Sequence, residues 1–295
     1  MACTPHTIDG NHAVRYAQPT ALPHHASVRD CAKAAIGEAS AHFLLNAQAL
    51  CQGVEPELVH QARVGLRRLR VFVRLFRSRI GKQQAAELGV ELRWLFVVLG
   101  GLRDLHVFDS ELLPTLKRPA RAVHALQSRV HASIHWEERE LVALLAGERY
   151  RALCRDLRLL YSRLDAPEQD SQRARPWLRK RLARMRKRVL VGSGLIQQGD
   201  LETLHGLRKK VKALRYTAEL ASGLHQKHPR RARKLLRRVA KLQTALGGLM
   251  DLHVTETVLL SCGASGSLRA QLEARIARER EQALRQILLR YEQFA

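Results

Sequence analysis

A chain of 295 residues that is 46% apolar can bury a real core, as one large or two medium domains. Its 51 Lys and Arg outnumber 27 Asp and Glu, so complete internal pairing would still leave 24 cations over, and the expected partner is a polyanion: nucleic acid, an acidic surface or inorganic polyphosphate. Aromatic residues make up only 5%, which argues against single-strand binding by base stacking, and five scattered cysteines (3, 31, 51, 154 and 262) with no CxxC pair argue against a disulfide framework.

Residues 1–27 carry Pro5, Gly10, Pro19 and Pro23 without helical periodicity and are predicted to form a disordered tail. From Val28 onward Leu, Ala and Arg dominate, and no alternating strand pattern with hairpin turns occurs. Helices are predicted over about 28–51, 56–79, 82–99, 103–114, 118–146, 148–164, 174–191, 200–224, 229–246, 250–262 and 266–294. Breaks are placed at Gly53 before Pro56, Gly81, Gly100-Gly101, Pro114, Pro167, Gly192/Gly194, Gly247-Gly248 and Gly263/Gly266. The longest apolar run, Trp94 to Leu102, has nine residues, against the ~20 that a membrane helix requires. Without a secretion signal at the N-terminus, the expectation is a soluble protein with free thiols in a reducing cytoplasm, and no membrane partner.

On the second predicted helix, His60, Arg63, Arg67, Arg70 and Arg74 fall within a narrow arc, with Leu66, Leu69, Phe72, Val73 and Phe76 opposite. A later helix repeats the pattern with His205, Arg208, Lys212 and Arg215, opposed by Val211, Leu214 and Ala218. Like charges three or four residues apart destabilise a helix by roughly 0.2–0.5 kcal/mol per pair. Yet no acid occurs between Glu57 and Glu87. A solvated face would interleave carboxylates, so two such stripes imply an anionic ligand. A cation one turn along a helix lies ~5–6 Å away, a spacing able to follow a phosphate chain. The two histidines have two readings: neutral among arginines and charged on binding, or anchors for the helix start.

A second phrase also recurs. Leu99-Gly-Gly-Leu-Arg103-Asp104-Leu-His106-Val107 returns as Leu246-Gly-Gly-Leu-Met250-Asp251-Leu-His253-Val254, and the two phrase pairs are offset by 145 and 147 residues. An internal duplication is inferred, with halves at about 28–165 and 170–295, each packed as a four-helix bundle. A pseudo-two-fold relation between them would bring both stripes to one shared basic groove. Asp104 and Asp251 suit first-turn dipole stabilisation or orientation of a basic side chain from another helix.

At these phrases the chain resembles the CHAD domain, the conserved histidine α-helical domain family, over residues 28–292. The resemblance rests on His60-x-x-Arg63-Val-x-x-Arg67-Arg68-Leu-Arg70, on the LGGLRDLHV phrase, and on Leu204-His205-x-Leu-Arg208-x-x-x-Lys212-x-Leu-Arg215-Tyr216-x-x-Glu219-Leu220. It implies an all-α fold of two pseudo-symmetric bundles around a basic groove or pore, binding inorganic polyphosphate without catalysis and with a role in targeting to polyphosphate granules. The expected ligand contacts are the nine stripe residues with Arg103. Met250 replaces Arg103 in the second phrase, which puts a contact there in doubt.

Arg231, Lys234, Arg238 and Lys241 repeat the three/four spacing without an acid before Asp251, and so do Arg181, Arg184 and Arg188; each set either extends the binding wall, with Lys234 and Lys241 as contacts, or faces solvent. His131 and His135, one turn apart with Glu138 nearby, lack a supporting metal motif, so no metal or cofactor is expected. Nucleic-acid binding by the same groove and a polyphosphate hydrolase or transferase remain as alternatives. An enzyme of the latter kind gathers carboxylates around a metal, and the basic arcs hold almost none.

Overall fold

The computed structural model describes residues 14–116, 120–166, 170–191, 200–224, 229–263 and 266–294. Among these the chain forms ten α-helices and no strand, with one isolated antiparallel bridge between Ser27 and Arg173. They are α1 (Val28–Leu50), α2 (Pro56–Leu75), the single turn α3 (Arg77–Ile80), α4 (Lys82–Val107), α5 (Ala120–Ala146), α6 (Glu148–Asp165), α7 (Ala174–Leu190), α8 (Leu201–Ser222), α9 (Pro229–Ser261) and α10 (Gly266–Phe294). A π turn (Phe108–Leu112) and a 3-10 turn (Leu113–Thr115) follow α4.

Local chemistry sets most starts. Ser27 and Asp30 form a reciprocal capping box on α1, Pro56 opens α2, and the Asp200 carboxylate accepts from the Thr203 N–H at the start of α8. Gly81 ends α3 with φ of 100°, a conformation that favours glycine. The expected breaks at Pro167 and Gly192/Gly194 lie outside the described residues.

Two expected breaks are absent. Helix α4 runs straight through Gly100-Gly101, and α9 runs through Gly247-Gly248. Each glycine costs a helix about 1 kcal/mol relative to alanine, but Leu99, Leu102 and Leu105 on α4, and Leu246, Leu249 and Met250 on α9, are all buried. Burial of three large side chains outweighs two glycines. Conversely, the single helix expected over 56–79 divides at Phe76, whose ring stacks on Trp177 of α7 at 5.4 Å.

The tail expected over 1–27 needs correction from residue 14 onward; residues 1–13 lie outside the described residues. Asn46 of α1 accepts from the Arg15 N–H (3.2 Å) and donates to the Arg15 carbonyl (2.8 Å), while Glu38 accepts from the Gln18 N–H (2.7 Å) and pairs with the Arg15 guanidinium. Ala26 is buried, and Thr20 passes so close to Gly223 that a Cβ there would lie 2.3 Å from its carbonyl oxygen. Backbone hydrogen bonding to polar side chains holds this segment, and such docking leaves no periodicity in sequence.

The apolar interior forms two clusters. The larger unites α1 to α7 with the C-terminal turns of α8 (Tyr216, Leu220), the end of α9 (Val258, Leu259) and the start of α10 (Leu268, Leu272, Ile276). The smaller joins Val189 of α7 to Leu204, Val211, Val239, Leu246, Ile287 and Phe294. The cores therefore do not divide at the boundary expected near residues 165–170. Long helices α8, α9 and α10 pass from one cluster into the other.

At the α1–α2 crossing, a Cβ on Gly65 would sit 2.7 Å from the Phe43 backbone nitrogen. Gly65→Ala is expected to lower stability by about 1–3 kcal/mol, because two backbones must separate. Gly89→Ala, on α4 with no atom near its Cβ position, is expected to raise stability by up to about 1 kcal/mol. Urea denaturation of the pair checks both signs.

A candidate anion-binding face between two basic helices

The apolar sides of α2 and α8 are buried, which leaves the stripe of each helix to face its neighbours. The two helices pack together, as do α2 with α4 and α8 with α9, so four elements meet around the cations. Arg63, Arg67, Arg208 and Lys212 are brought close enough to act on one another's charge. Burial, followed by repulsion from Arg67, Arg208 and Arg63, pushes the Lys212 amine down to about 6. The guanidinium groups of Arg63 and Arg208 are also lowered, chiefly by burial.

Carboxylates from the two LGGL phrases hold one arginine each. Arg63 donates to Asp104 Oδ1 at 3.1 Å and to the Gly100 carbonyl at 3.3 Å, and Arg208 approaches Asp251 at 3.8 Å. Asp104 and Asp251 therefore orient a basic side chain from another helix. Phe96 of α4 supplies a floor: the guanidinium carbons of Arg63, Arg67 and Arg70 lie 5.0, 5.5 and 4.8 Å from its ring centre. Even so, the Nε–H groups of Arg63, Arg67 and Arg208 are buried without a hydrogen-bond partner. Such groups each cost about 1–3 kcal/mol when left unmade.

The remaining stripe residues flank this centre. His60 is half-buried beside Arg103, Arg67 and Arg63, and burial first, then Arg103, drives its ring toward the neutral form. His205 is exposed, and partial desolvation, then Lys209, Arg208 and Lys212, does the same to it. Arg70 lies near Arg93, Arg74 and Arg67, with Arg74 exposed at the end of α2. At the other end Glu219 takes both Arg215 (2.8 Å) and Arg68 (3.4 Å), and Arg68 also lies over the Tyr216 ring. Arg68 thus ties α2 to α8 rather than joining the stripe.

Lys234 and Lys241 are not part of this face. They lie on a cleft between α9 and α10 with Arg290 and Gln293; the side chain of Arg231 lies outside the described residues. His131 bonds Asp109 at 2.8 Å, whereas His135 and the buried His106 flank Glu138 at 3.4 and 3.6 Å. No group of three His, Cys, Asp or Glu side chains among the described residues is placed to hold a metal ion. Sequence reasoning missed Phe96 and the tie made by Arg68. Phe96 sits in the longest apolar run and gave only a core signal.

Comparison with known proteins concerns the fold and the family. The fold is similar to the crystal structure of the CHAD domain from the plant Ricinus communis, with a TM-score of 0.76, 25% identity and 96% of each chain covered. It is also similar in fold to PptA from Streptomyces chartreusis, with a TM-score of 0.68, 15% identity, and 90% of this chain and 100% of that one covered. No curated protein matches by sequence. The family pattern of the CHAD domain matches residues 34–260, a span that contains both stripes and both LGGL phrases, and the chain belongs to the CHAD domain family.

Proposed function

We propose that this protein binds inorganic polyphosphate, without catalysing its cleavage, along the face where α2 and α8 meet. The observation that carries the reading is the convergence of Arg63, Arg67, Arg208 and Lys212, where Asp104 and Asp251 hold one arginine each. Bringing four cations together and partly desolvating them is unfavourable in the absence of an anion. A phosphate chain removes that cost by supplying a charge and acceptor oxygens at each helical turn. Lys212 adds a point charge once phosphate restores its proton.

A non-catalytic role is supported by the engagement of both acids of the face, Asp104 and Asp251, by arginines. No helix among the described residues is long and apolar enough to cross a membrane. We place the protein at polyphosphate granules in the cytoplasm, where its ligand is concentrated. The nucleic-acid alternative predicts that RNA or DNA displaces long polyphosphate at equal phosphate concentration, and the enzyme alternative predicts Mg²⁺-dependent release of orthophosphate. Either result would replace the reading.

Reversing charge in Arg67→Glu/Lys212→Glu is expected to remove the binding of long polyphosphate at the α2–α8 face, read by calorimetry as a loss of affinity relative to the wild type, while leaving the helical circular dichroism unchanged. Unaltered affinity in this variant would remove the α2–α8 face from the account. Because neutralising about four phosphates releases the counterions condensed on the chain, affinity should drop ~50-fold between ~50 and ~200 mM salt.

The depressed amine gives a sign for pH dependence. Free Lys212 loses its proton near pH 6, and adjacent phosphates raise that value, so binding takes up a proton in the interval between the two. Affinity should therefore fall as pH rises above 6, by up to ~10-fold per pH unit for one linked proton. Lys212→Arg, which stays charged, should flatten the profile. Calorimetry in buffers of different ionisation enthalpy measures the proton directly.

A further inference from the structure

We propose that the cleft between α9 and α10 is a second anion site, separate from the α2–α8 face, for a compact ligand carrying several phosphate groups. The cleft has a volume of about 610 Å³ and is lined by Arg230, Arg233, Lys234, Arg237, Arg238 and Lys241 of α9, with Arg290 and Gln293 of α10. On an ideal helix the six α9 residues share an arc of about 140°. The opposite side of α9 carries Val239, Leu242 and Leu246, which are fully buried in the smaller core. Packing therefore fixes which way the cationic arc faces.

Charge balance separates this cleft from an ordinary solvated surface. Elsewhere on α10 the chain supplies a carboxylate for each of several arginines: Arg269 with Glu273, Arg275 with Glu279, Arg285 with Glu281, and Arg280 with Glu256 of α9, at 2.5 to 2.9 Å. Among the described residues none of the seven cleft cations has an ion pair, and Arg290 donates only to Gln293, at 3.0 Å. No acid occurs in sequence between Pro229 and Asp251. Cations one turn apart, as in 230/234, 234/238 and 237/241, repel one another, and among the described residues no carboxylate pairs with them.

The ligand class follows from shape and lining. A volume of 610 Å³ falls within the range of ~300–1,000 Å³ of small-ligand sites. The arc from Arg230 to Lys241 extends about 16 Å along the helix axis, long enough for a few phosphate groups. No Phe, Tyr or Trp lines the cleft, so it offers no platform for nucleobases. Mixed arginine forks and lysine point charges suit clustered phosphate oxygens. The proposal does not depend on what binds between α2 and α8.

The test uses the full chain and inorganic tripolyphosphate. Lysine-selective acylation, read by mass spectrometry, reports on Lys234 and Lys241 directly. Tripolyphosphate should protect both at least five-fold in the wild type and in Arg67→Glu/Lys212→Glu, and protection should vanish in Arg233→Gln/Arg237→Gln. Calorimetry should show the Gln variant losing one binding event, while a control of altered surface charge, Arg121→Glu/Arg158→Glu, retains it. Unprotected lysines in the wild type, equal loss in the control, or protection by an RNA oligonucleotide but not by tripolyphosphate would each overturn the proposal. Failure of the α2–α8 reading appears separately, as wild-type binding of long polyphosphate in the Arg67→Glu/Lys212→Glu variant.

Discussion

Three guanidinium groups, those of Arg63, Arg67 and Arg208, and the Lys212 amine are forced together where α2 packs on α8, and the surrounding structure is arranged to tolerate them. Asp104 and Asp251 hold one arginine each, Phe96 lies under three guanidinium groups, and the proton on Lys212 is released easily because burial and repulsion act in the same direction. These devices reduce the repulsion without cancelling it. A site neutralised by its own carboxylates would have little electrostatic energy left for a ligand.

Holding cations in that position requires rigid helices with strongly buried opposite faces. Leu58, Leu66 and Leu69 on α2, and Leu204, Val211 and Leu214 on α8, are completely inaccessible to solvent. Their burial sets the rotation of each helix, and helical periodicity then carries the basic residues to the other side. Helices α4 and α9 run unbroken through their paired glycines, and this continuity places Asp104 and Asp251 a full turn beyond Gly100 and Gly247, within reach of Arg63 and Arg208. The segment from Val14 to Ser27 adds a strap across α1 and toward the end of α8. Arg68 and Glu219 add an ion pair between α2 and α8.

Much of this was legible from residue order. The helical class, most helix limits and both stripes follow from periodicity of 3.6, since apolar and cationic residues are each confined to one arc. The expected helix starts at about 28 and 200 fall where Ser27 and Asp200 cap α1 and α8, because capping is local chemistry. Paired glycines misled: their backbone preference is local and weak, whereas burial of their leucine neighbours is a property of the packed molecule. Lys234 and Lys241 show a different limit. Their spacing matches that of the stripes, but spacing on one helix does not state which neighbour the face meets, and here it meets α10.

Sequence by itself determined that the chain is helical, that it carries an excess of positive charge organised in stripes, and that two distant segments use the same phrases. These are properties of local periodicity and composition, and no tertiary contact is needed to read them. Only the tertiary structure decided which cations share a neighbourhood, because proximity between α2 and α8 arises from packing of helices more than a hundred residues apart. It also decided that Lys212 sits among arginines, where burial and repulsion push its amine down to about 6, that Phe96 serves the site as well as the core, and that the α9 cations open onto a cleft of their own. Desolvation and charge–charge repulsion depend on distances through space, and a linear sequence carries those only after it has folded.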